Sequence, residues 1–280
     1  MRIFLCFIFL PIFMLTGNAF GAQVGNISDP AALSQGHFSG DRAYAIMTGI
    51  ESDFVSGKKF DGQTNKFKFN FYGLKIGSVI RDNLYVYGIL GIGDINDKKT
   101  IYNYDPDRDV ADVGINYIDI KTDPTFVYGL GVTAIMHEEK LDEGVFFRIG
   151  FDAKYRRISF DSNNTNVNII NYAEGSAIQT YPASYAMNVN EFQAAIVASY
   201  QYEKFAPYVG FRISDWNGEE ELVVNSFTSG NINYNGSLET NGRKGYCVGI
   251  TYYISKTFSI GIEGRERDEE AWNINAQMRF

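Results

Sequence analysis

Cysteine, histidine and long apolar stretches are all scarce in this chain of 280 residues, which has 2 cysteines and 2 histidines. Cys6 lies within an N-terminal apolar run that we expect to be removed on export, which leaves Cys247 without an intrachain disulfide partner. After that run, no apolar stretch approaches the roughly 20 residues that a membrane-spanning helix requires. The exported chain must therefore fold without disulfides, and any membrane-spanning structure must be built from β-strands.

The N-terminus has the features of a secretory signal peptide. Arg2 is followed by the apolar run Ile3–Leu15 and then by small residues that end at Gly21. Because the run is too short for a membrane anchor, we predict a cleaved signal peptide over residues 1–21 and a periplasmic segment over residues 22–41. The formal net charge of -8 argues against a nucleic acid as a partner, since nucleic acids are bound through basic patches.

Polar and apolar residues alternate through most of the chain after residue 41, as in β-strands that have one apolar and one polar face. Every second connection between the alternating segments is short, whereas three of the others are long and rich in Asp, Asn, Ser and Thr. Short periplasmic turns and long extracellular loops are typical of a transmembrane barrel. The loops of a soluble β-sandwich, which is the alternative, have no reason to separate in this way. We predict an all-β protein in which residues 42–280 form an antiparallel up-and-down transmembrane β-barrel of ten strands, with twelve or eight as alternative counts: Arg42–Asp53, Lys66–Ile80, Leu84–Asp94, Pro124–Met136, Gly144–Ile158, Asn190–Tyr202, Phe205–Asp215, Arg243–Tyr253, Thr257–Arg265 and Ala271–Phe280.

The chain ends on the strict alternation Asn273-Ile274-Asn275-Ala276-Gln277-Met278-Arg279-Phe280. This ending resembles the C-terminal signature strand of bacterial outer-membrane β-barrel proteins, and the architecture is similar to that of small outer-membrane protein A or opacity-like barrels. The resemblance implies a location in the bacterial outer membrane, in contact with the lipid bilayer and lipopolysaccharide. It also implies that the outer-membrane assembly machinery reads the last strand through its outward-facing residues Trp272, Ile274, Met278 and Phe280.

Charged residues occupy positions of the predicted strands that face the barrel interior. A barrel of eight strands is filled by its own side chains, whereas a sixteen-stranded porin leaves an aqueous channel. Because an unpaired charge in a confined interior is costly, we predict that the charges pair across the lumen and plug it. A narrow ion path lined by the same residues is the alternative. The predicted lumen charges are Glu51, Lys75, Arg148, Asp152, Lys154, Arg212, Glu263, Arg265 and Arg279.

One predicted strand does not alternate cleanly. The three phenylalanines Phe67, Phe69 and Phe71 are out of phase with the apolar residues that follow them, which begin at Tyr72. A β-bulge near Tyr72-Gly73 would explain the change of phase. We favour a different explanation, in which the upper part of the strand rises above the bilayer and packs differently.

The sequence offers little for catalysis or for a metal ion. His37 precedes the first predicted strand and His137 lies in a predicted periplasmic turn, so neither is placed to serve as a general base at an extracellular site. The acidic run Asp105–Asp112 lacks the Gly and Glu positions of a calcium-binding EF-hand loop. We therefore expect a non-enzymatic protein without cofactor or metal, which has a structural or surface-interaction role. Its extracellular loops would carry that role by contacting an extracellular ligand. The alternative is a narrow porin for ions or small solutes.

Overall fold

The computed structural model describes residues 44–58, 60, 67–80, 83–103, 114–171, 177–226, 230–240, 244–255, 257–267 and 269–280. The predicted signal peptide over residues 1–21 and the predicted periplasmic segment over residues 22–41 lie outside these residues, so both stay predictions. Within the described residues, no helix is long and apolar enough to cross a membrane.

Twelve β-strands make up the described structure. They are β1 (Tyr44–Lys58), β2 (Phe67–Ile80), β3 (Leu84–Asn103), β4 (Gly114–Lys121), β5 (Thr125–Asp142), β6 (Val145–Asn171), β7 (Ala177–Tyr202), β8 (Phe205–Ser226), β9 (Gly230–Glu239), β10 (Lys244–Ser255), β11 (Phe258–Glu266) and β12 (Ala271–Arg279).

Ten of these strands close into an antiparallel barrel in the order β1-β2-β3-β5-β6-β7-β8-β10-β11-β12. The last strand returns to the first, with pairs that run from Met47–Arg279 to Val55–Ala271. The two remaining strands extend the wall at one end of the barrel: β4 pairs with β3 beyond the part that β5 covers, and β9 does the same on β8 beyond β10. The structure confirms the prediction of a ten-stranded all-β barrel.

The period-two pattern of the sequence explains the two faces of the wall. In β12 the side chains of Asn273 and Asn275 are buried, whereas Trp272 is 53 % exposed on the opposite face. The same alternation continues through β2 without a break, and its pairing with β1 and β3 has no register shift from Phe69 to Ile80. The explanation by a β-bulge near Tyr72-Gly73 is therefore wrong. Phe67, Phe69 and Phe71 continue the inward face of the strand.

Several strands are longer than their alternating segments predicted. The strands β6, β7 and β8 have 27, 26 and 22 residues, whereas a tilted strand crosses a bilayer in roughly 9–11. Their additional residues fall in segments that were predicted as loops because many of them are Asn, Ser or Thr. The predicted turn at His137–Glu143 is also wrong, since β5 continues to Asp142 and the turn consists of Glu143 and Gly144. Gly144 has a φ of 71°, a conformation that glycine adopts without strain.

Candidate functional site

The barrel interior gathers most of the charged residues that the sequence placed there. Eight of the nine predicted lumen charges are between 0 % and 8 % exposed, namely Glu51, Lys75, Arg148, Asp152, Lys154, Arg212, Glu263 and Arg265. The ninth, Arg279, pairs through its backbone with Met47, and its side chain lies outside the described part of the structure. The eight side chains come from β1, β2, β6, β8 and β11, so they face one another across the lumen.

The densest group of charges, which we call the charge layer, contains Asp53, Lys58, Arg156, Glu191, Arg212, Arg265 and Glu269. Arg156 on β6 is central to it. Its Nη1 lies 2.6 Å from Oδ2 of Asp53 on β1, and its Nε lies 2.6 Å from Oε2 of Glu191 on β7. All three side chains are almost completely inaccessible to solvent. A single guanidinium thereby joins strands on opposite sides of the barrel.

A second set of contacts links the same layer to the connection between β11 and β12. Arg265 reaches Asp53 at 2.8 Å and Oε1 of Glu269 at 2.9 Å, and Nη1 of Arg212 lies 2.7 Å from that oxygen. Nζ of Lys58 lies 3.5 Å from Oε2 of Glu269. Burial alone would raise the pKa of the Glu269 carboxyl, but the nearby Arg212, Arg265 and Lys58 hold that pKa well below its usual range. Glu269 thus serves as an anion that three cations share.

Five members of the charge layer were absent from the predicted set: Asp53, Lys58, Arg156, Glu191 and Glu269. Three of them could have been found by extending the alternation along their strands. Asp53 lies two positions after Glu51 and Arg156 two positions after Lys154, so each faces the same way as its neighbour in the pattern. Glu191 likewise shares the inward face of its strand with Gln193. Lys58 lies beyond the predicted end of its strand, and Glu269 lies outside any strand. For these two residues the alternation carries no signal.

Below the charge layer, inward tyrosines hydrogen-bond to buried carboxylates. The Tyr87 hydroxyl donates to Oδ2 of Asp152 at 3.3 Å, and the Thr133 hydroxyl donates to the same oxygen at 2.6 Å. Nζ of Lys75 lies 3.8 Å from the centroid of the Tyr87 ring. Glycine makes room for this ring, since a Cβ at Gly131, the cross-strand partner of Tyr87, would overlap it. Tyr208 and Gly249 repeat the arrangement, and the Tyr208 hydroxyl donates to Oε2 of Glu263 at 2.9 Å.

Above the charge layer, toward the end of the barrel from which β4 and β9 extend, aromatic side chains fill the interior. We call Phe60, Phe67, Phe69, Phe160 and Trp216 the aromatic layer. The Trp216 ring meets Phe60, Phe67 and Phe69 edge-on, with centroids 5.7–6.0 Å apart. Phe60 belongs to the β1–β2 connection and forms a β-bridge with Thr240, which follows β9. This bridge joins connections from separate parts of the ring.

The buried charges of the described residues balance. Seven are acidic and seven are basic: Glu51, Asp53, Asp152, Glu191, Glu220, Glu263 and Glu269 against Lys58, Lys75, Arg148, Lys154, Arg156, Arg212 and Arg265. A pore that selects ions by charge is lined by a ring of one sign. The equal numbers favour mutual pairing within the interior.

The remaining residues singled out in the sequence lie outside this interior network or are inert within it. His137 is exposed on β5, close to the β5–β6 turn, and His37 lies outside the described residues. Cys247 is fully buried and packs against Ala195, Val197 and Tyr208. On β12, Trp272 and Phe280 are 53 % and 61 % exposed on the outer face, with Ile274 and Met278 half-buried between them.

Comparison with known proteins gives similarity at the level of the fold. No protein-family model matches the chain, and no curated protein matches its sequence. The chain is similar to the outer membrane protease OmpT from Escherichia coli at 14% identity and a TM-score of 0.47, over 84% of this chain and 92% of that one. It is also similar to the P. putida toluene transporter TodX, at 10% identity and a TM-score of 0.36 over 89% and 67% of the two chains. It is similar to the Acinetobacter baumannii outer membrane protein Omp33 at 13% identity and a TM-score of 0.25, over 85% of this chain and 98% of that one. At such low identities and TM-scores, these similarities carry no argument about function.

The architecture itself defines the class of protein. A closed antiparallel ring whose outer face is apolar and whose interior buries charged side chains is the fold of the outer-membrane β-barrel superfamily. This agrees with the resemblance seen in the C-terminal strand. The comparisons assign no particular family within the superfamily.

Proposed function

We propose that this protein is a non-enzymatic, integral protein of the bacterial outer membrane whose interior is closed and which acts through its extracellular part. The observation that carries the proposal is the charge layer. Arg156 on β6 contacts Asp53 on β1, although three strands separate β6 from β1 on one side of the ring and five on the other. A solute or ion passing through the lumen would have to break this pair.

Two further features support a closed interior. The aromatic layer packs Trp216 against Phe60 and Phe69 directly above the charges, so water and ions would meet an apolar barrier as well as an ionic one. A barrel of ten strands is also close to the size at which side chains alone fill the interior. The described histidine, His137, lies at the opposite end of β5 from these layers, which supports a role other than hydrolysis.

The extracellular part is the region through which we propose that the protein acts. The strands β6, β7 and β8 extend far beyond the length required to cross a bilayer, and β9 adds a further strand to their sheet. This extension continues the apolar core of the barrel, and its Tyr185, Met187 and Leu222 are nearly inaccessible. A rigid sheet of this kind suits the presentation of loops to an extracellular ligand. Lipopolysaccharide and the lipid bilayer would surround the barrel, and the assembly machinery would read the strand that ends at Phe280.

A narrow porin is the second candidate function, and one observation favours it. Side-chain oxygens of Gln193, Asn275 and Gln277 are buried in the lower interior without a hydrogen-bond partner among the described residues. Buried polar atoms of this kind are normally satisfied by ordered water. The lower lumen would then be hydrated, and only the charge and aromatic layers would separate it from the extracellular side.

Single-channel recording in planar bilayers tests the closed interior. We expect the purified protein to show no reproducible conductance steps, whereas the double variant Arg156→Ala/Phe60→Ala, which removes one contact from each layer, shows them. A matched control, Arg157→Ala/Phe126→Ala, changes the same residue types on half-buried or exposed positions outside these layers and should stay silent. Discrete, reproducible steps from the unmodified protein would refute the closed interior and establish the porin.

A further inference from the structure

The outer wall of the barrel carries an apolar groove with a volume of about 320 Å³. It crosses β1, β12, β11, β10 and the start of β8, all on the face turned away from the lumen. The side chains that line it are almost entirely aliphatic or aromatic, and include Ile50, Phe205, Ile250, Tyr252, Ile260, Ile262, Ile274 and Ala276.

The sequence creates this groove by placing small outward residues among large ones. Ala276 on β12 is the register partner of Ile50 on one side and of Ile260 on the other, so a methyl group lies between two isoleucines. One row further along the same strands, Ser52 lies opposite Ile274. The small side chains of Ala276 and Ser52 form the floor of the groove, and their larger neighbours form its sides.

The groove runs toward the end of the barrel that has the short turns. Phe205 directly follows the turn Glu203–Lys204, and it packs on Tyr252 with ring centroids 4.9 Å apart. Tyr252 lies near the end of β10, which closes at Ser255. Short turns mark the periplasmic side of an outer-membrane barrel, and aromatic residues mark its interfaces. The pair of rings therefore places the lower end of the groove at the periplasmic edge of the hydrocarbon layer.

We infer that this groove retains one phospholipid of the periplasmic leaflet, with an acyl chain in the groove and the phosphate at its lower end. The inference rests on the proposed function, because it requires that the outer face meets lipid. The aliphatic lining suits an acyl chain.

The polar groups at the lower end suit a phosphate. Lys204 is exposed beside Phe205, and its carbonyl oxygen accepts a hydrogen bond of 2.8 Å from the amide of Tyr253, which fixes the backbone of this residue beside the groove. In the adjacent β10–β11 turn, the exposed hydroxyls of Ser255 and Thr257 lie 3.4 Å apart. A cation and two hydroxyls at the mouth of an apolar groove complement an anionic headgroup above which the acyl chain enters the wall.

Native mass spectrometry of the protein extracted from bacterial membranes in a mild detergent tests this assignment. We expect a single phospholipid to remain on the unmodified barrel. Ala276→Trp fills the floor of the groove and should lower the retained fraction by about tenfold, while Lys204→Gln should lower it less, because it removes only a surface charge contact. Ala153→Trp is the matched control, since Ala153 is a half-buried outward alanine on β6. It should retain the lipid as the unmodified protein does.

Several outcomes would overturn the inference. They are the absence of phospholipid from the unmodified barrel, equal retention by Ala276→Trp, retention of lipopolysaccharide in its place, and a dimer that Ala276→Trp converts to monomer. Heat-dependent migration on a gel, recorded for every variant, confirms that the barrel is folded. A barrel that is soluble without detergent would instead contradict the proposed function, so the two failures remain distinguishable.

Discussion

The charge layer and the aromatic layer occupy the same interior and are held together by different physical means. In the charge layer, Arg156 contacts two carboxylates at 2.6 Å, and each of those contacts depends on one particular partner. In the aromatic layer, Trp216 meets three phenylalanine rings with centroids 5.7–6.0 Å away, and no single contact is indispensable. The first arrangement depends on matching charges, the second on filling volume.

This difference predicts unequal responses to substitution. Removing one partner of a buried ion pair leaves the other charged and without compensation, which costs far more than the pair contributes. Trimming one ring of an apolar cluster removes contacts but leaves no group unsatisfied, and the neighbours can partly relax. The charge layer should therefore be the more sensitive of the two to single substitutions.

The largest effect is expected for Arg156→Met, which keeps much of the side-chain volume but leaves Asp53 and Glu191 without their shared cation. We expect the free energy of unfolding to fall by about 3–5 kcal/mol. The measurement is urea unfolding of the barrel in lipid vesicles or detergent micelles, followed by heat-dependent gel migration. The control is Arg157→Met at the next position, where the half-buried guanidinium contacts Asn190 at 3.3 Å.

A double variant separates charge from shape in the same experiment. Adding Glu191→Gln to Arg156→Met neutralises the carboxylate that has lost its guanidinium partner and should restore part of the lost stability, whereas Asp53 keeps its contact with Arg265 at 2.8 Å. If Arg156→Met costs no more than its control, the ion pairs do not stabilise the closed interior, and the contrast between the layers disappears.

The outer face of the wall could be predicted well from the sequence, because lipid imposes a single requirement on every second residue. The alternation in Ala271–Phe280 predicted which side chains face outward, and the ten crossing segments followed from the same signal. The interior obeys no equally simple requirement. Arg156 and Arg157 are adjacent and both charged, and only the continued phase of β6 shows which of them points inward.

Pairing across the lumen was beyond the reach of sequence patterns. Lys58 and Glu269 are in contact although they lie 211 positions apart in the sequence, and neither lies in a predicted strand. The apparent change of phase after Phe67, Phe69 and Phe71 arises because apolar residues also fill the upper interior. There, hydropathy no longer distinguishes inward-facing from outward-facing side chains. In the extended parts of β6 and β8, the sequence shows only short strand-like runs, at 167–172 and 222–227, and leaves open whether they extend the hairpins or form two further strands.

An intermediate effect is expected for Phe69→Leu in the aromatic layer. Phe69 is fully buried and meets Trp216 at 5.7 Å and Phe160 at 6.2 Å, and the Arg156 guanidinium lies 5.7 Å from its ring centroid. The substitution therefore removes two edge-to-face contacts, this cation–π contact and some volume. We expect the free energy of unfolding to fall by about 1–2 kcal/mol in the same urea assay. Phe126→Leu is the control, since Phe126 is 58 % exposed on the outer face and should tolerate the change. A loss as large as that of Arg156→Met would mean that the aromatic layer also depends on specific partners.

The smallest effect is expected for Tyr87→Phe. This substitution tests whether the lower interior depends on specific partners, as the charge layer does, or on filling volume, as the aromatic layer does. The substitution keeps the ring that Lys75 approaches at 3.8 Å and removes only the hydroxyl that donates to Asp152 at 3.3 Å. Asp152 retains the shorter bond of 2.6 Å from Thr133, so its carboxylate is not stranded, and we expect a loss of about 0.5–1 kcal/mol.

Tyr200→Phe is the matched control for this last experiment, because Tyr200 is 45 % exposed on the outer face of β7. A loss of several kcal/mol for Tyr87→Phe would show that the hydroxyl is as indispensable to Asp152 as Arg156 is to Glu191. The lower interior would then belong with the charge layer. The expected small loss instead assigns Tyr87 a role in filling volume, which is the role that the overlap between its ring and a Cβ at Gly131 already indicates.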